Sequence, residues 1–406
     1  MNLAPKESVD ELAALGGRPL FHQQLNVGVP NLPARDAFFR RVDEIFGRRR
    51  LTNKGPFVIE LEKGIAAFLG VKHCVCVSNG TRALEILIKV LGCTGEIICP
   101  SFTFVASAHA LHWMGLRPVF CDIDPQTHNI DPVQAETLIG TRTSGILGVH
   151  VWGRPCPVEE LTRLAREHGL TLVFDAAHAF GASAGGRRIG SFGEAEVFSF
   201  HATKVFHTFE GGAITTNDDE LADRCRLAKN FGFKGYDHVI APGTNGKMSE
   251  VHAAMGAAML ELFPAIVEQN EKRYWIYQRG LGSLEGVRLM AYDEKEENNF
   301  QYVVIEIDEP RAGLSRDEIL RLLHAENINA RRYFYPGCHR MEPYRSDTSV
   351  DRDRLKRTEE VSERVICLPT GTGVRKEDVE QVARFIRFTV DNAKTIRPRL
   401  SSTAIR

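Results

Sequence analysis

Short apolar runs alternate with helical patterns through the first half of this chain. Seven of these runs have the length and composition of buried strands. Strands that alternate with helices form mostly parallel sheets that are covered on both faces. We therefore predict an α/β fold with a seven-stranded, mostly parallel sheet in a large domain. The candidate strands are residues 74–77, 96–99, 118–121, 145–149, 171–174, 196–199 and 213–216.

The pattern changes after an Ala/Met/Leu-rich helix at residues 251–262. Beyond it we expect a strand at 301–307 and helices at 315–326 and 376–392, which indicates a smaller C-terminal α+β domain. Both termini lack periodic pattern, so we expect them to be mobile arms. The predicted boundaries are 20–255 for the large domain, 256–395 for the small domain, and 1–19 and 396–406 for the arms.

Charge and cysteine content exclude several classes of function. The net charge is −1 and there is no basic block, which argues against nucleic acid or an anionic membrane surface as a partner. No apolar run reaches membrane-spanning length, and the N-terminus lacks the apolar stretch of a signal peptide. The nine cysteines are scattered without metal-ligand spacing. They predict reduced thiols, no metal site and a cytoplasmic protein.

Lys204 lies where one apolar strand ends. Ser199 belongs to the end of that strand, and the Gly211-Gly212 pair downstream predicts a tight turn. Because an ammonium group is costly to bury, Lys204 either pairs with an acid or stays neutral enough to act as an amine nucleophile. Its position alone favours the paired lysine.

Asp175 ends another buried strand and is followed by small residues. Ligands of open α/β sheets bind at the carboxyl edge of the sheet, where this carboxylate is expected. Pyridoxal phosphate (PLP) requires a lysine on its aldehyde and an acid on its pyridine nitrogen. Asp175 alone could also be a helix N-cap before Ala176. Together with Lys204, 29 residues downstream, it predicts a PLP site.

A third segment, residues 77–83, has the pattern of a strand, a glycine turn and a helix start. The free amides of a helix N-terminus bind anions, and the Thr81 hydroxyl adds a donor. The same residues also fit a simple Thr81 N-cap. Both interpretations are open on the residues alone.

These segments resemble the DegT/DnrJ/EryC1/StrS family of sugar aminotransferases, which has the aspartate aminotransferase (type I PLP) fold. The resemblance covers roughly residues 20–390. Its most specific pieces are co-linear: residues 51–56, 77–81, 100–104, 175–178, 199–204, 210–212 and 244–250.

The resemblance implies a role for each matching residue. Lys204 is the catalytic lysine that holds PLP, and Asp175 is its pyridine-nitrogen partner. Asn245 matches an asparagine that reaches the phosphate from the neighbouring subunit, which implies a homodimer with composite sites. Phe104 and His178 match residues against the cofactor ring, although core packing is the ordinary alternative for both types. The phosphate-binding residues would be Gly80, Thr81 and Ser199.

The resemblance also implies candidate substrate-binding residues. Residues 331–340 are similar to a segment that approaches the sugar and the nucleotide in relatives. Arginine forks suit a diphosphate, and tyrosines can stack or hydrogen-bond. The alternative is a small-domain loop with solvated arginines. The candidates are Lys247, Arg331, Tyr333, Tyr335 and His339, with residues 26–33 as a further segment.

The expected reaction moves an amino group from L-glutamate to a nucleotide-linked 4-keto-6-deoxyhexose, with dTDP-4-keto-6-deoxyglucose as the first candidate. The 4-keto choice rests on the similarity of residues 27–33, 151–155 and 244–250 to 4-aminating relatives. A 3-keto-sugar aminotransferase is the alternative. A PLP-dependent sugar dehydratase would replace Lys204 with histidine, and one branch of these enzymes adds cysteines for an iron–sulfur cluster. A regulatory, non-enzymatic use of the fold is opposed by the intact set of Lys204, Asp175 and Ser199.

Overall fold

The structure, a computed structural model, describes residues 5–347 and 351–403. Its strands are β1 Leu25–Asn26, β2 His73–Val77, β3 Glu96–Pro100, β4 Arg117–Cys121, β5 Thr143–Val149, β6 Thr171–Asp175, β7 Ser183–Ala184, β8 Arg187–Arg188, β9 Ala195–Ser199, β10 Gly212–Thr216, β11 Val287–Leu289, β12 Val303–Ile307, β13 Ile328–Asn329 and β14 Val365–Leu368. Its α-helices are α1 Arg35–Arg48, α2 Pro56–Leu69, α3 Gly80–Leu91, α4 Ala106–Trp113, α5 Pro132–Thr137, α6 Val158–His168, α7 Asp219–Ala228, α8 Glu250–Leu281, α9 Glu309–Ala312, α10 Arg316–Ala325, α11 Glu342–Arg345, α12 Lys356–Arg364, α13 Lys376–Asp391 and α14 Ala393–Thr403. Short 3₁₀ turns occur at Val9–Glu11, Ala13–Leu15, Val151–Gly153, Cys338–Arg340 and Arg352–Leu355.

The large domain is built on a seven-stranded sheet in the order β2-β10-β9-β6-β5-β3-β4. Only β10 in this sheet is antiparallel to its neighbours, and the other pairings are parallel. The predicted seven-stranded, mostly parallel sheet is therefore confirmed. Since β2, β5, β6 and β9 run in the same direction, their carboxyl ends meet at one edge of the sheet.

Helices cover both faces of this sheet. One apolar cluster joins α2, α6 and α8 to the sheet, and another joins α3, α4 and α7 to the opposite face. Helix α3 shows how the sequence produces this arrangement. Its apolar face, Ala83, Leu84, Leu87 and Ile88, is buried, and it ends at Gly92, which has the left-handed backbone that glycine favours.

The smaller domain has a three-stranded antiparallel sheet, β11-β12-β14, packed with α10 and α13. The strand and helices that we predicted here are present, with ends that differ by at most two residues. Helix α8 runs continuously through the predicted boundary at residue 255/256 and contributes to the cores of both domains. The position of that boundary stays a prediction.

The expectation of terminal arms is wrong for the parts of them that the structure describes. Val9 and Leu12 are buried in the small-domain core, and so are Ile396 and Leu400 at the other end. The Glu326 carboxylate accepts the amide N–H groups of Ala13 and Leu20, at 2.8 and 2.6 Å. Residues 1–4 and 404–406 lie outside the described residues.

Helix α8 is long and apolar enough to cross a membrane by length and composition alone. More than half of its apolar window is buried inside the protein. A helix in a protein core passes the same test, so this is weak evidence for a membrane span. The expectation that no apolar segment reaches this length was wrong, because α8 continues well beyond the predicted 251–262.

Candidate active site

A cavity of about 510 Å³ opens at the carboxyl edge of the sheet, against the small domain. Most of the residues that the sequence predicts to hold a cofactor line this cavity. They are Gly80, Thr81, Phe104, Asp175, His178, Ser199 and Lys204. Of the predicted substrate-binding residues, Tyr333 lines it as well.

Lys204 is half-buried in the loop that joins β9 to β10. Its backbone N–H donates to the His201 carbonyl at 2.9 Å, which closes a tight turn. Within the described residues Lys204 forms no ion pair. The structure therefore does not show the pairing of Lys204 with an acid that its position alone favours. Burial lowers the pKa of Lys204 to about 8, and the nearby Asp175 carboxylate acts in the opposite direction. A larger share of this amine is therefore neutral at neutral pH than for an exposed lysine.

The loop that carries Lys204 is fixed by the N-terminal segment. Asn31 donates from Nδ2 to the Val205 carbonyl at 3.1 Å, and a Cβ on Gly28 would meet Thr203 Cβ at 3.1 Å. Asn31 and Gly28 belong to segment 26–33, which we predicted as a further substrate-binding segment, and no residue of this segment is among those that line the described cavity. Their position is that of a support for the lysine loop.

Asp175 ends β6, and its carboxylate accepts two hydrogen bonds. Ser107 donates its hydroxyl to Oδ2 at 2.8 Å, and the Ala177 amide donates to Oδ1 at 3.0 Å. Burial raises the pKa of Asp175, although these two donors and Lys204 oppose the shift. The bond to Ala177 closes a turn, and no helix begins between Asp175 and β7, so the alternative of a helix N-cap before Ala176 is wrong. Asp175 also lines a cavity together with a lysine, and a capping role does not require that position.

The turn before α3 forms a concave surface beside Ser199. Asn79 caps the helix by accepting the Arg82 amide on Oδ1 at 2.7 Å, so the simple Thr81 N-cap is wrong. The Gly80 and Thr81 amides are left at the open helix N-terminus. A Cβ on Gly80 would lie only 2.9 Å from Ser199 Cβ, which explains the glycine. This end of the cavity therefore suits a phosphate group.

His178 and Phe104 both line the cavity. His178 is buried, and its Nδ1 has no hydrogen-bond partner among the described residues. Burial holds the pKa of His178 well below its usual range, and the Lys204 charge adds to this. Phe104 is 57% exposed, so it is not a core residue.

Asn245 and Lys247 do not line this cavity. Asn245 is exposed and pairs through its backbone with Asn230. Lys247 lines a separate small cavity, and its ammonium lies 4.5 Å from the centre of the Phe231 ring. Neither residue contacts the Lys204 cavity of its own chain.

A second cavity adjoins the first and shares Phe104 and Tyr333 with it. Arg331 and Tyr335, both predicted as substrate-binding residues, line this second cavity. Two guanidinium groups lie over tyrosine rings there: Arg331 over Tyr333 at 5.6 Å and Arg332 over Tyr335 at 4.4 Å.

His339 is not placed to bind a substrate, and that prediction is wrong. Its side chain is fully buried, and both ring nitrogens are occupied. Nδ1 lies 2.7 Å from Ser101 Oγ, and Nε2 lies 3.0 Å from a Glu359 carboxylate oxygen. The residue ties the end of β3 to α12.

Three further residues of the site were not predicted from the sequence. Ser107 holds the Asp175 carboxylate, and Tyr302 and Phe334 line the cavity. A serine on the buried face of the short, Ala-rich helix α4 is a signal that could have revealed Ser107. Tyr302 and Phe334 come from the small domain, and no local pattern distinguishes them from core aromatics.

These residues fit PLP. The cavity contains a lysine amine of lowered pKa, a buried carboxylate, and a histidine nitrogen without a partner. At its far end Gly80 lets the N-terminus of α3 approach Ser199 closely, which brings the helix amides and the Ser199 side chain together. The set matches the aldehyde, the pyridine nitrogen, the phenolic oxygen and the phosphate of the cofactor.

Comparison with known proteins agrees with this geometry. A model of the DegT/DnrJ/EryC1/StrS aminotransferase family matches residues 34–387. The chain is 37% identical over 372 residues to the dTDP-4-amino-4,6-dideoxy-D-glucose transaminase of Shigella dysenteriae, covering 91% of this chain and 99% of that protein.

Solved structures have the same fold. The crystal structure of DesI in the presence of its TDP-sugar product has a TM-score of 0.92 and 45% identity, covering 97% of this chain and 99% of that one. The PLP form of the putative sugar aminotransferase Spr1654 from Streptococcus pneumoniae has a TM-score of 0.84 at 22% identity, covering 91% and 99%, and shows the fold alone. The chain belongs to the DegT/DnrJ/EryC1/StrS aminotransferase family and is a PLP-dependent sugar aminotransferase.

Proposed function

We propose that this enzyme transfers the amino group of L-glutamate to C4 of a nucleotide-linked 4-keto-6-deoxyhexose, most simply dTDP-4-keto-6-deoxyglucose. The observation that carries the amino transfer is the meeting of Lys204 and Asp175 at one cavity beside an anion-binding turn. The choice of C4 is supported by the Shigella relative, whose name specifies a 4-amino sugar. The similarity to DesI, whose structure was solved in the presence of its TDP-sugar product, supports a TDP-linked sugar.

The proposal gives each cavity residue a task. Bound PLP supplies an electron sink for the carbon that gains or loses a proton. Lys204 holds the cofactor aldehyde and, when it is displaced by a substrate amine, moves a proton at the substrate carbon. Asp175 keeps the pyridine nitrogen protonated, and Ser107 holds the Asp175 carboxylate in place. Gly80, Thr81 and Ser199 hold the phosphate, while Phe104 and His178 lie against the ring.

The second cavity is the proposed site of the nucleotide. It adjoins the Lys204 cavity and is lined by Arg331 and Arg332, and guanidinium groups suit a diphosphate. Arg332 also pairs with Asp317 at 3.1 Å, so Arg331 is the first candidate. Tyr333 and Tyr335 give it aromatic surface, and Tyr335 is 40% exposed. A sugar attached to such a nucleotide reaches the first cavity past Tyr333, which lines both.

A homodimer with composite sites is part of the proposal. Asn245 and Lys247 lie outside the cavity of their own chain, so a role at a site requires the partner's cavity. The segment just before them exposes several large apolar side chains, as interaction surfaces do. They are Phe231, Phe233, Tyr236, Val239 and Ile240. The nine free cysteines support a cytoplasmic, reducing location.

The test is a comparison of two isomeric substrates. PLP-loaded enzyme is given L-glutamate and either the 3-keto or the 4-keto 6-deoxy sugar nucleotide, and amine formation is followed by mass spectrometry. We expect the kcat/KM for the 4-keto sugar to be higher by at least about 100-fold, because the diphosphate anchor allows only one ring carbon to reach the reacting centre. A preference for the 3-keto sugar would overturn the C4 assignment and leave the aminotransferase unaffected.

A second candidate, the PLP-dependent sugar dehydratase, is tested in the same assay. Loss of water without incorporation of glutamate nitrogen would support it. Lys204 weighs against this reaction, since the dehydratases that the chain resembles have histidine at that position.

A further inference from the structure

Three aromatic rings form a stack that begins at the cavity wall, where His178 and Phe334 line the cavity, and continues to Trp152. The His178 ring lies parallel to Phe334, with 5.7 Å between ring centres and 3° between planes. Phe334 in turn stacks on Trp152 at 5.1 Å and 18°. Phe334 and Trp152 are buried in an apolar cluster between the end of the sheet and the small domain. The His178 ring therefore packs on a buried aromatic stack, and Tyr302 meets it edge to face at 5.0 Å.

The far end of this stack is fixed by hydrogen bonds. Trp152 donates its indole N–H to His128 Nδ1 at 3.1 Å, and His128 Nε2 lies 2.9 Å from a Glu306 carboxylate oxygen. Both His128 and Trp152 are buried, and Glu306 lies on β12 of the small domain. An unbroken series of contacts thus runs from a small-domain carboxylate to a ring in the cavity wall.

The donors in this series determine the state of His128. An indole nitrogen can only donate, so His128 Nδ1 must accept, and its proton must lie on Nε2 facing the carboxylate. If both ring nitrogens of His128 carried protons, its Nδ1–H group would face the indole N–H group of Trp152, and two donors would meet without an acceptor. Burial lowers the pKa of His128, which favours the same neutral form.

The backbone next to Trp152 is shaped for this arrangement. Trp152 itself has a left-handed backbone with a φ of 64°, and Gly153 follows with a φ of 81°. A Cβ on Gly153 would lie 2.6 Å from the His178 carbonyl oxygen. The turn that presents the indole is therefore packed directly against the segment that carries His178.

We infer that His128 and Trp152 are positioning residues, which hold Phe334 and His178 at the angle at which His178 meets the cofactor ring. The inference deepens the proposed function, because it rests on the proposed role of His178. It also assigns a task to the small domain, whose Glu306 fixes the end of the stack.

The test uses a variant that keeps the ring and loses one N–H group. Trp152→Phe leaves an aromatic side chain on Phe334 and removes the donor to His128. We expect the Kd of the apo-protein for PLP to rise about fivefold to tenfold, as the loss of one buried hydrogen bond permits. We also expect the visible circular dichroism band of the bound cofactor to change, because that band reports the tilt of its ring.

The matched control is Tyr277→Phe. Tyr277 is fully buried in the small-domain core and donates its hydroxyl to the Pro369 carbonyl at 2.9 Å, so this variant also loses one buried donor from an aromatic ring. We expect a similar fall in Tm for both variants, with an unchanged Kd and dichroism in Tyr277→Phe. Equal changes of Kd and dichroism in both variants would reduce the effect to general stability and overturn the inference.

Two substitutions of Glu306 give an independent comparison if Trp152→Phe fails to fold. Glu306→Gln keeps an oxygen that can accept from His128 Nε2, and Glu306→Leu removes it. We expect wild-type dichroism in the first and an altered band in the second. The inference is overturned if the two bands are identical to wild type. None of these measurements uses a sugar, so an error in the proposed substrate would leave them unchanged.

Discussion

Lys204 and Asp175 show how burial changes the chemistry of single residues. Both line the same cavity. Burial favours the uncharged form of each residue, so it lowers the pKa of the lysine and raises the pKa of the aspartate. An amine that is partly neutral can attack an aldehyde, and an aspartate of raised pKa is a stronger base toward a pyridine nitrogen.

The pKa of Lys204 predicts how cofactor attachment depends on pH. With a pKa of about 8, roughly one tenth of the amine is neutral at pH 7, against less than about one in a thousand for an ordinary lysine near 10.4. The attachment rate of PLP to apo-enzyme should rise about tenfold per pH unit up to about pH 8 and then level off. Stopped-flow absorbance measures this, with N-acetyl-lysine as the control. A rise that continues to pH 10 would contradict it.

The carboxylate of Asp175 is tested by Asp175→Asn. We expect PLP to remain bound but kcat to fall by on the order of 100-fold or more, because an amide cannot hold the pyridinium proton. Ser107→Ala is the matched comparison: it removes only the donor to Oδ2 and should cost a few-fold. Near-normal kcat in Asp175→Asn would mean that Asp175 serves only to accept the Ala177 amide in the turn after β6.

The elements of the large domain place the phosphate end of the site. The start of α3, the end of β9 and the start of β10 come so close that glycines are required. A Cβ on Gly212 would lie 2.6 Å from the Asn79 carbonyl carbon, and one on Gly80 would reach Ser199. The open N-terminus of α3 therefore depends on the order of the strands in the sheet as well as on the local turn.

This geometry predicts the effect of Gly80→Ala. The added methyl group would lie 2.9 Å from Ser199 Cβ, so the turn and Ser199 must move apart, and we expect the Kd for PLP to rise at least about tenfold. Gly47→Ala on α1 is the control, because a Cβ there meets nothing within 4 Å. Fluorescence titration of the apo-protein gives both values. If the two variants bind PLP with equal affinity, the phosphate does not bind at this turn.

At the scale of the whole molecule, both chain ends close the small domain. The N-terminal segment contributes β1, which pairs in parallel with β13, and α14 adds Ile396 and Leu400 to the same core. Truncation of either end would therefore expose apolar core and lower the stability of the domain that carries Arg331 and Tyr333.

The proposed dimer is tested by complementation. Inactive Lys204→Ala and inactive Asn245→Ala subunits are mixed, and exchange is verified with a tag on one subunit. If Asn245 serves the partner's site, each mixed dimer contains one site with both residues intact, so up to about half of the activity per mixed dimer should return. If subunit exchange is demonstrated and no activity returns, both residues serve the site of the same chain.

The sequence by itself determined the sheet, the position of its carboxyl edge and the pair formed by Asp175 and Lys204. These follow from local patterns, since an apolar run marks a strand and a polar residue after it lies at the strand end. The small-domain helices were predictable from their helical apolar period, and the turn at Gly80 from its glycine, while the residues alone left the role of that turn open.

Only the tertiary structure decided which side chains meet. His339 and Tyr333 lie a few residues apart in one segment, yet the first is buried between Ser101 and Glu359 and the second lines two cavities. The bond from Ser107 to Asp175 and the one from Ala13 to Glu326 join residues 68 and 313 positions apart. Such contacts depend on how whole elements pack, and short-range patterns in the chain do not encode that packing.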